Sequence, residues 1–444
     1  MIRTLGAEGA TGSIRPVVTD PSPPPDLAPA LSVRSRIAVA LGRAVARASR
    51  IVRLGTGSVI GGRAALLIDP ALLTRLTLGR DVVLVSATNG KTTTTRLLTA
   101  ALADDRRVVS NWLGANMSPG IVAALGGADR RDTTAVLEVD ERWLGRVLDA
   151  TGAATVVLSN LSRDQLDRTQ EVRDLAAQWR HALEGRDITV IANADDPLVA
   201  WAAMAADETV WIGAGAGWTG DATGCPACAG RIAITDDEWH CTSCPLRRPT
   251  PTVTVGDAEV VMGDDRVAVE LSLPGHINLV NAAFALTTAR HLGADPGRAA
   301  AALTEVREVA GRYRITDHHG CRIRLLLAKN PAGWSEALEL LASARTPMVA
   351  SINARIADGH DPSWLWDVDF ERLAGRFVVA TGERRFDLAV RLRHAGVDHT
   401  VCEGLDDALD VIVRRSDHDP VRPVDVASNY TAFQDHLELV GGVV

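Results

Sequence analysis

The chain has 444 residues, 46% of them hydrophobic and 23% charged, with a formal net charge of −8. That length exceeds one ordinary core and predicts two or three domains of a soluble globular protein. The acidic balance offers no basic field for nucleic acid, no apolar run approaches the ~20 residues of a membrane span, and no secretory signal opens the chain, so the expectation is a cytoplasmic protein with no nucleic-acid partner and no transmembrane segment.

Residues 1–30 are rich in Pro, Gly, Ala and Thr and predict a disordered tail. From Leu31 to Arg53 a helical pattern sets Ile37, Leu41, Ala44, Val45 and Ala48 along one side and Arg36, Arg43, Arg47 and Arg50 along another. The reading adopted is a helix packed on its own domain with a solvated arginine face; contact with anionic lipid at the inner face of the membrane is the alternative. Asp81–Val85 is a short β-branched run ending at a Gly90-Lys91-Thr92 loop, and Arg96–Asp104 then reads as helix. Buried-strand candidates follow at Thr134–Leu137, Ala154–Leu158, Ile188–Ile191 and Thr209–Ile212, with helical stretches between most of them. Short apolar strands alternating with helices predict a parallel α/β sheet. After a cysteine-rich insert, Gly275–His291 reads as loop and then helix. Past Gly311-Arg312 the pattern restarts, with strands expected at Ile323–Leu327, Met348–Ser351, Phe377–Ala380, His399–Cys402 and Val424–Ala427, as in a second, smaller Rossmann-like domain.

Of 47 basic residues only two, Lys91 and Lys329, are lysine. Arginine replaces lysine on a surface, but a compact ammonium suits a phosphate cradle. Lys91 stands in Ser86-Ala87-Thr88-Asn89-Gly90-Lys91-Thr92-Thr93, after a strand and before a helix. In such a loop backbone N–H groups face phosphates, the lysine reaches the β/γ oxygens and the threonine hydroxyl can ligate Mg²⁺. The loop is expected to face solvent, so that Lys91 matters to chemistry and not to stability. Lys329 could equally be structural.

Cys225-Pro-Ala-Cys228 and Cys241-Thr-Ser-Cys244 are two C-x-x-C knuckles whose four thiolates suit a closed, structural Zn²⁺ site. A redox pair is the competing reading. Cys321 and Cys402 read as ordinary buried cysteines.

The phosphate loop resembles the G-T-N-G-K-T loop of the Mur ligase and folylpolyglutamate synthetase superfamily, with Ala87 in place of the first glycine. Further segments resemble that family in the same order: Glu138-Val-Asp-Glu141 after a strand, Ser159-Asn-Leu-Ser-Arg-Asp164-Gln165-Leu-Asp167-Arg168, Ala192-Asn-Ala-Asp-Asp-Pro197, Gly275-His-Ile-Asn-Leu-Val-Asn281-Ala, and Gly311-Arg312. The resemblance implies ATP held by Thr88, Asn89, Gly90, Lys91, Thr92 and Thr93, with Asn281 near the adenine and Arg312 reaching phosphate. It implies Mg²⁺ on Thr92 and Glu138, and a catalytic part for Lys91 and Glu138. Gln165 replaces a histidine usual in the ligases. Many amino-acid-adding relatives also need a carbamylated lysine in the central domain, and this chain has none there to offer.

Ala328-Lys-Asn-Pro-Ala-Gly333, Asp358-Gly-His-Asp361-Pro-Ser-Trp364-Leu-Trp366-Asp367 and Ser428-Asn-Tyr-Thr431 resemble the MurT family, the synthetase subunits of lipid II isoglutaminyl synthase. The fold implied is α/β: a Mur ligase-type central P-loop domain over 31–310 with an inserted four-cysteine zinc ribbon at about 222–248, followed by a smaller Rossmann-like C-terminal domain over 311–444. The activity implied is ATP-dependent amidation of the D-glutamate α-carboxylate of the lipid II stem peptide, in peptidoglycan biosynthesis. Ammonia would come from a GatD-like glutaminase subunit in a heterodimer. That partner would dock on the C-terminal domain, where Asp361 completes its Cys-His site; the bland reading is that Asp361 starts a turn. The family's usual upstream acid is replaced, since Asn353 is followed by Ala354. The alternatives are an amino-acid or glutamate ligase of the same superfamily and a non-catalytic ATP-binding cell-wall scaffold.

Overall fold

A computed structural model of the chain describes residues 30–51, 57–111, 115–129, 131–164, 172–215, 220–235, 238–307, 312–342, 344–415 and 422–441. The expected tail other than Ala30, and Gln165, Asp167, Arg168 and Gly311, lie outside them.

Three helices, α1 (Val33–Ile51), α2 (Ser58–Ile68) and α3 (Leu72–Thr77), lead into β1 (Asp81–Ser86). There follow α4 (Lys91–Leu102), β2 (Val108–Ser110), α5 (Ser118–Gly127), β3 (Thr134–Val139), α6 (Leu144–Thr151), β4 (Thr155–Leu158), α7 (Val172–Leu183), β5 (Thr189–Asn193), α8 (Pro197–Ala203) and β6 (Glu208–Gly213). A hairpin of β7 (Ile232–Thr235) and β8 (Glu238–Cys241) stands apart as its own two-stranded sheet. Then β9 (Val253–Val255), β10 (Glu259–Met262) and β11 (Asp265–Ala268) extend the main sheet before α9 (His276–His291) and α10 (Pro296–Leu303).

The main sheet has nine strands in the order β11-β10-β9-β6-β5-β4-β1-β3-β2. Its run from β2 to β9 is parallel, and β9, β10 and β11 pair antiparallel. Strands β1 and β3 are rich in valine and buried on both faces because helices cover both sides of the sheet, with Glu138 near the carboxyl end of β3 as a buried charge. On one side α4 packs against α9 and α10; on the other α6, α7 and α8 pack together. The connection leaving β1 therefore goes to one face and the connection leaving β3 to the other. That divergence opens a crevice at the carboxyl ends of β1, β3 and β4, where ligands bind in open α/β sheets.

The second sheet has six strands in the order β12-β13-β17-β14-β15-β16. They are β12 (Tyr313–His318), β13 (Cys321–Leu327), β14 (Met348–Ser351), β15 (Val378–Thr381), β16 (His399–Val401) and β17 (Val424–Ser428). Only the β12–β13 hairpin is antiparallel. Helices α11 (Pro331–Ala342), α12 (Arg385–His394), α13 (Leu405–Val413) and α14 (Tyr430–Leu439) complete this unit. A buried guanidinium, Arg376, binds Asp425 at 2.6 Å and the carbonyls of Thr346 and Leu341, tying β17 to the loops before β14 and β15.

Two expectations are corrected. Helix α4 begins at Lys91, not Arg96, because Gly90 adopts φ 78° and caps it, and Thr92–Thr95 are all buried. Packing overrides the weak helix propensity of four successive threonines. Helix α1 does pack on its own unit, but through the small residues Ser35, Ala38, Gly42 and Ser49; Ile37 and Leu41 face outward.

Candidate active site

The loop between β1 and α4 is built to lie close to other backbone. Gly90 takes a left-handed conformation, and a Cβ there would sit 2.6 Å from Asn281 Oδ1. Only glycine fits both demands. Behind the loop runs the segment after β4. Asn160 accepts from Asn89 N at 2.8 Å through its Oδ1, and its carbonyl accepts from Thr88 N at 3.0 Å. Thr88 Oγ1 donates to the Ser162 carbonyl and accepts from Ser162 N, at 3.1 and 3.0 Å. Ala87, where relatives of the loop carry glycine, is fully buried.

The loop does not leave Lys91 in solvent. The residue is 5% exposed, and Nζ donates to the Ala87 carbonyl, to the Thr88 carbonyl at 3.3 Å and to Glu141 Oε2 at 3.0 Å. This corrects the expectation of a solvent-facing lysine. Burial works against its charge, but Glu141, then Glu138 and Asp164, outweigh it and hold the ammonium's pKa above the ordinary lysine value. Glu141 stands in the acidic run after β3, yet sequence reasoning singles out only Glu138. The partner of Glu141 lies fifty positions earlier, which no local pattern reveals.

Glu138 is 1% exposed and turned toward Thr92, whose Oγ1 donates to Glu138 Oε2 at 2.8 Å. Arg312, from just before β12, donates to the same Thr92 oxygen at 2.9 Å. Asn116 donates to Glu138 Oε1 at 3.3 Å, and Asn111 Oδ1 accepts from Glu138 N at 2.8 Å. A hydroxyl and a carboxylate in contact, with the second carboxylate oxygen only weakly held, form a donor set suited to a hard divalent cation. Lys91, Thr92, Glu138 and Arg312 are thus brought together. Asn281 joins them through Thr94, whose Oγ1 lies 3.1 Å from Asn281 Oδ1.

The second unit closes over this cluster. Lys329 Nζ lies 2.7 Å from Asp164 Oδ2, and Asn330 Nδ2 reaches Asp164 Oδ1 at 3.2 Å and Asn89 Oδ1 at 3.3 Å. Burial raises the Asp164 pKa, but Lys329 first and Lys91 after it outweigh that and hold it below the usual carboxylate range. Between the units lies a cavity of about 130 Å³ lined by Asn89, Gly90, Thr93, Asn281, Arg312 and Lys329 among others. Its far wall is α11, where half-buried Glu336 is pushed up to about 8 by desolvation and by the Glu339 carboxylate.

Asp361 stands apart from this cluster. It is exposed, its Oδ1 accepts from Ser363 N at 2.8 Å, and it lines neither the main cavity nor a smaller void beside Asp164 and Lys329. Asp361 starts a turn, and the residue is open to the outside. Nearby Asp358 is instead engaged, accepting from Thr431 N at 2.9 Å and from the Thr431 hydroxyl. Trp364 is buried in the core, whereas Trp366 is 55% exposed and lies edge-on to His394.

The four cysteines of the insert converge. Cys225 and Cys244 Sγ are 3.7 Å apart, Cys228 and Cys241 Sγ 3.5 Å, and all four sulfurs lie within 4.8 Å of one another. These separations are far beyond a disulfide bond and match four thiolates around one tetrahedral ion. Trp239 of β8 anchors the insert by donating to the Ala194 carbonyl at 2.9 Å.

Comparison with known proteins adds a lineage to this geometry. The chain matches the Mur ligase middle domain model over residues 85–289 and the MurT ligase C-terminal model over 327–433. It is 30% identical over 433 residues to the lipid II isoglutaminyl synthase (glutamine-hydrolyzing) subunit MurT of Streptococcus pneumoniae, a match covering 90% of this chain and 96% of that one. The MurT subunit of Staphylococcus aureus is 29% identical over 394 residues, covering 82% and 89%. Among solved structures, a pseudomurein peptide ligase type C from Methanothermus fervidus superposes with a TM-score of 0.61 at 18% identity, covering 82% of this chain and 78% of that one. MurF ligase from Thermotoga maritima, in complex with ADP, superposes with a TM-score of 0.57 at 18% identity, covering 83% and 82%.

Proposed function

The chain belongs to the MurT family, and on that premise we propose that it is the ATP-dependent synthetase subunit of a glutamine-hydrolysing lipid II isoglutaminyl synthase. The observation that carries the reading is the convergence of buried Lys91, Thr92 and Glu138 with half-buried Arg312 in a chain that covers 96% of a MurT relative. The proposed division of labour gives ATP chemistry to 31–310 and glutaminase docking to 311–444.

The reaction joins nitrogen to a carboxylate. An oxygen of the D-glutamate α-carboxylate bonds to the γ-phosphorus of ATP and ADP leaves. Ammonia then attacks the carbonyl carbon of the acyl phosphate, phosphate departs and a proton is lost from nitrogen. The first step needs positioning and charge neutralisation more than covalent help. Glu141 keeps Lys91 charged before the nucleotide arrives, so the ammonium is ready for phosphate oxygens. The N-terminus of α4 and the Gly90 turn offer N–H groups to the same oxygens. Arg312, which touches Thr92, would reach phosphate, and Asn281, packed against Gly90, would lie near the adenine. Thr92 and Glu138 would hold Mg²⁺, which when bound supplies positive charge at the transferring phosphoryl.

The choice of ammonia over an amino acid is supported by composition. With Lys91 in the phosphate loop and Lys329 in the second unit, no lysine remains in the central region for the carbamate that many amino-acid-adding relatives need. A partner glutaminase would supply the ammonia. Support for its docking on the second unit comes from exposed Trp366, Phe386 and Val390 on the same unit as open Asp361. Asp361 would orient a partner histidine and stabilise its charged form when the partner's cysteine is activated. The cysteine insert would hold one structural Zn²⁺. Cytoplasmic placement follows from the need for ATP and reduced thiols; among the described residues no helix is long and apolar enough to cross a membrane.

The test is amidation of lipid II by the purified chain with ATP and ammonium. The reading requires hydroxyl-for-amino exchange on the stem peptide, read by mass, and its complete loss without ATP. An amino acid added instead, or no product with ATP and Mg²⁺ present, overturns it.

A further inference from the structure

Helix α1 is attached by its small side and shows its large apolar side to solvent. Gly42 and Gly61 let α1 and α2 cross so closely that a Cβ on either would fall within 2.8 Å of the other's carbonyl oxygen. The inward residues Ser35, Ala38, Gly42 and Ser49 contribute little apolar area. By contrast Val33, Ile37, Leu41 and Ile51 are 70%, 55%, 45% and 83% exposed. At 3.6 residues per turn these four fall with Ala44 and Ala48 in one arc of about 80°. Arg36, Arg43, Arg47 and Arg50 occupy an adjoining arc of about 60°. A helix whose only task was to pack would turn Ile37 and Leu41 inward.

Charge decides the occupant. Helix α1 carries five arginines and no acidic residue, and among the described residues none of the five pairs with a carboxylate. Arg34 donates to the Ile68 carbonyl at 2.6 Å and Arg43 to the Gly126 carbonyl, contacts that hold the helix down and leave the charges uncompensated. The Arg34 contact also brings Leu67 of α2, 84% exposed, to the α1 N-terminal end. An exposed apolar stripe bordered by uncompensated arginines matches the boundary between acyl chains and anionic headgroups, where the stripe enters and the guanidinium groups stay among phosphates.

We propose that the outer face of α1 is a membrane-contacting surface that seats the protein on an anionic bilayer. The inference stands on α1 and not on the proposed reaction. A lipid-linked substrate would, however, be presented at such a surface.

The test uses the full chain and vesicles free of any lipid-linked substrate, so its outcome is independent of the amidation assay. Sedimentation should bring the protein down with vesicles containing phosphatidylglycerol but not with phosphatidylcholine alone, and high salt should release it. Ile37→Glu with Leu41→Glu should lower the vesicle partition at least about tenfold. Arg36→Glu with Arg47→Glu, which spares the arginines bonded to carbonyls, should lower it by about fivefold or more per position. Nucleotide binding by both variants should match wild type, since all four side chains lie on α1, distant in sequence from the phosphate loop. Absence of wild-type binding to phosphatidylglycerol vesicles overturns the proposal, as does equal binding by the variants. So does loss of self-association or of a complex with the glutaminase in place of loss of vesicle binding.

Discussion

Lys329 crosses from the six-stranded unit to Asp164 in the nine-stranded unit at 2.7 Å, and so sets the chain's second lysine on a carboxylate that also feels its first. The chain's two lysines thus flank one acidic cluster, Lys91 on Glu141 and Lys329 on Asp164. Asn330 reinforces the bridge through Asp164 and Asn89, the latter within the phosphate loop. These contacts join the two units directly at the phosphate loop.

Replacing Lys329 with methionine should therefore lower ATP turnover, by roughly tenfold for one partly desolvated interdomain pair. Asp164→Asn, which also takes a negative charge away from Lys91, should lower it at least as much, and the double variant should be no worse than Asp164→Asn alone, because Lys329 acts through Asp164. Steady-state kinetics on the three variants checks this. Additive losses would show that the residues act separately.

Lys91→Ala should reduce amidation by at least about a hundredfold. It should also destabilise the fold, because Glu141 and Glu138 would remain buried without their cation. Removing one partner of a buried pair costs roughly 3–5 kcal/mol, here lessened by the few polar contacts Glu138 retains. Thermal denaturation of Lys91→Ala and of Lys91→Ala with Glu141→Gln separates the two effects. The second change should restore melting temperature and leave activity absent.

Nucleotide affinity should depend on pH through Glu336. Its pKa of about 8 means a neutral carboxyl below that pH and an added negative charge on the cavity wall above it. ATP is anionic, so the dissociation constant should rise as pH passes through about 8 in wild type and stay level in Glu336→Gln. Calorimetric titration across that range measures it. A slope unchanged by the substitution would assign the pH dependence elsewhere.

The cysteine insert should hold one Zn²⁺ per chain. Cys228→Ser or Cys241→Ser should reduce solubility or melting temperature before it affects turnover specifically, since a site closed by four sulfurs serves folding. Metal analysis with absorption spectroscopy reads the ligand set, and a metal-free chain that folds and works normally would contradict the assignment.

Much of this architecture is legible in the chain, and the failures have physical causes. The run Met348–Ser351 is both expected and observed, because four residues buried on both faces leave no other element to form. The Gly90-Lys91-Thr92 loop is visible because its chemistry is local. The hairpin extension β9–β11 is not, since strands of three and four residues with exposed faces carry little periodicity. The orientation of α1 escapes for another reason. Its sequence supports an apolar and a small-residue side, and only the close crossing at Gly42 and Gly61 decides which one turns inward. The Lys91–Glu141 and Lys329–Asp164 bridges join residues fifty and 165 positions apart, and no window along the chain brings them together.

The central claim is that this chain joins glutamine-derived ammonia to lipid II. Its most direct measurement supplies glutamine labelled with a nitrogen isotope at the side-chain amide, together with ATP, lipid II, the chain and a partner glutaminase. The label should appear in the α-amide of D-isoglutamine only when ATP and both proteins are present. Asp361→Asn should abolish that transfer yet spare amidation driven by added ammonium. Label that never enters the stem peptide while ATP is consumed, or an intact amino acid attached in its place, would contradict the account.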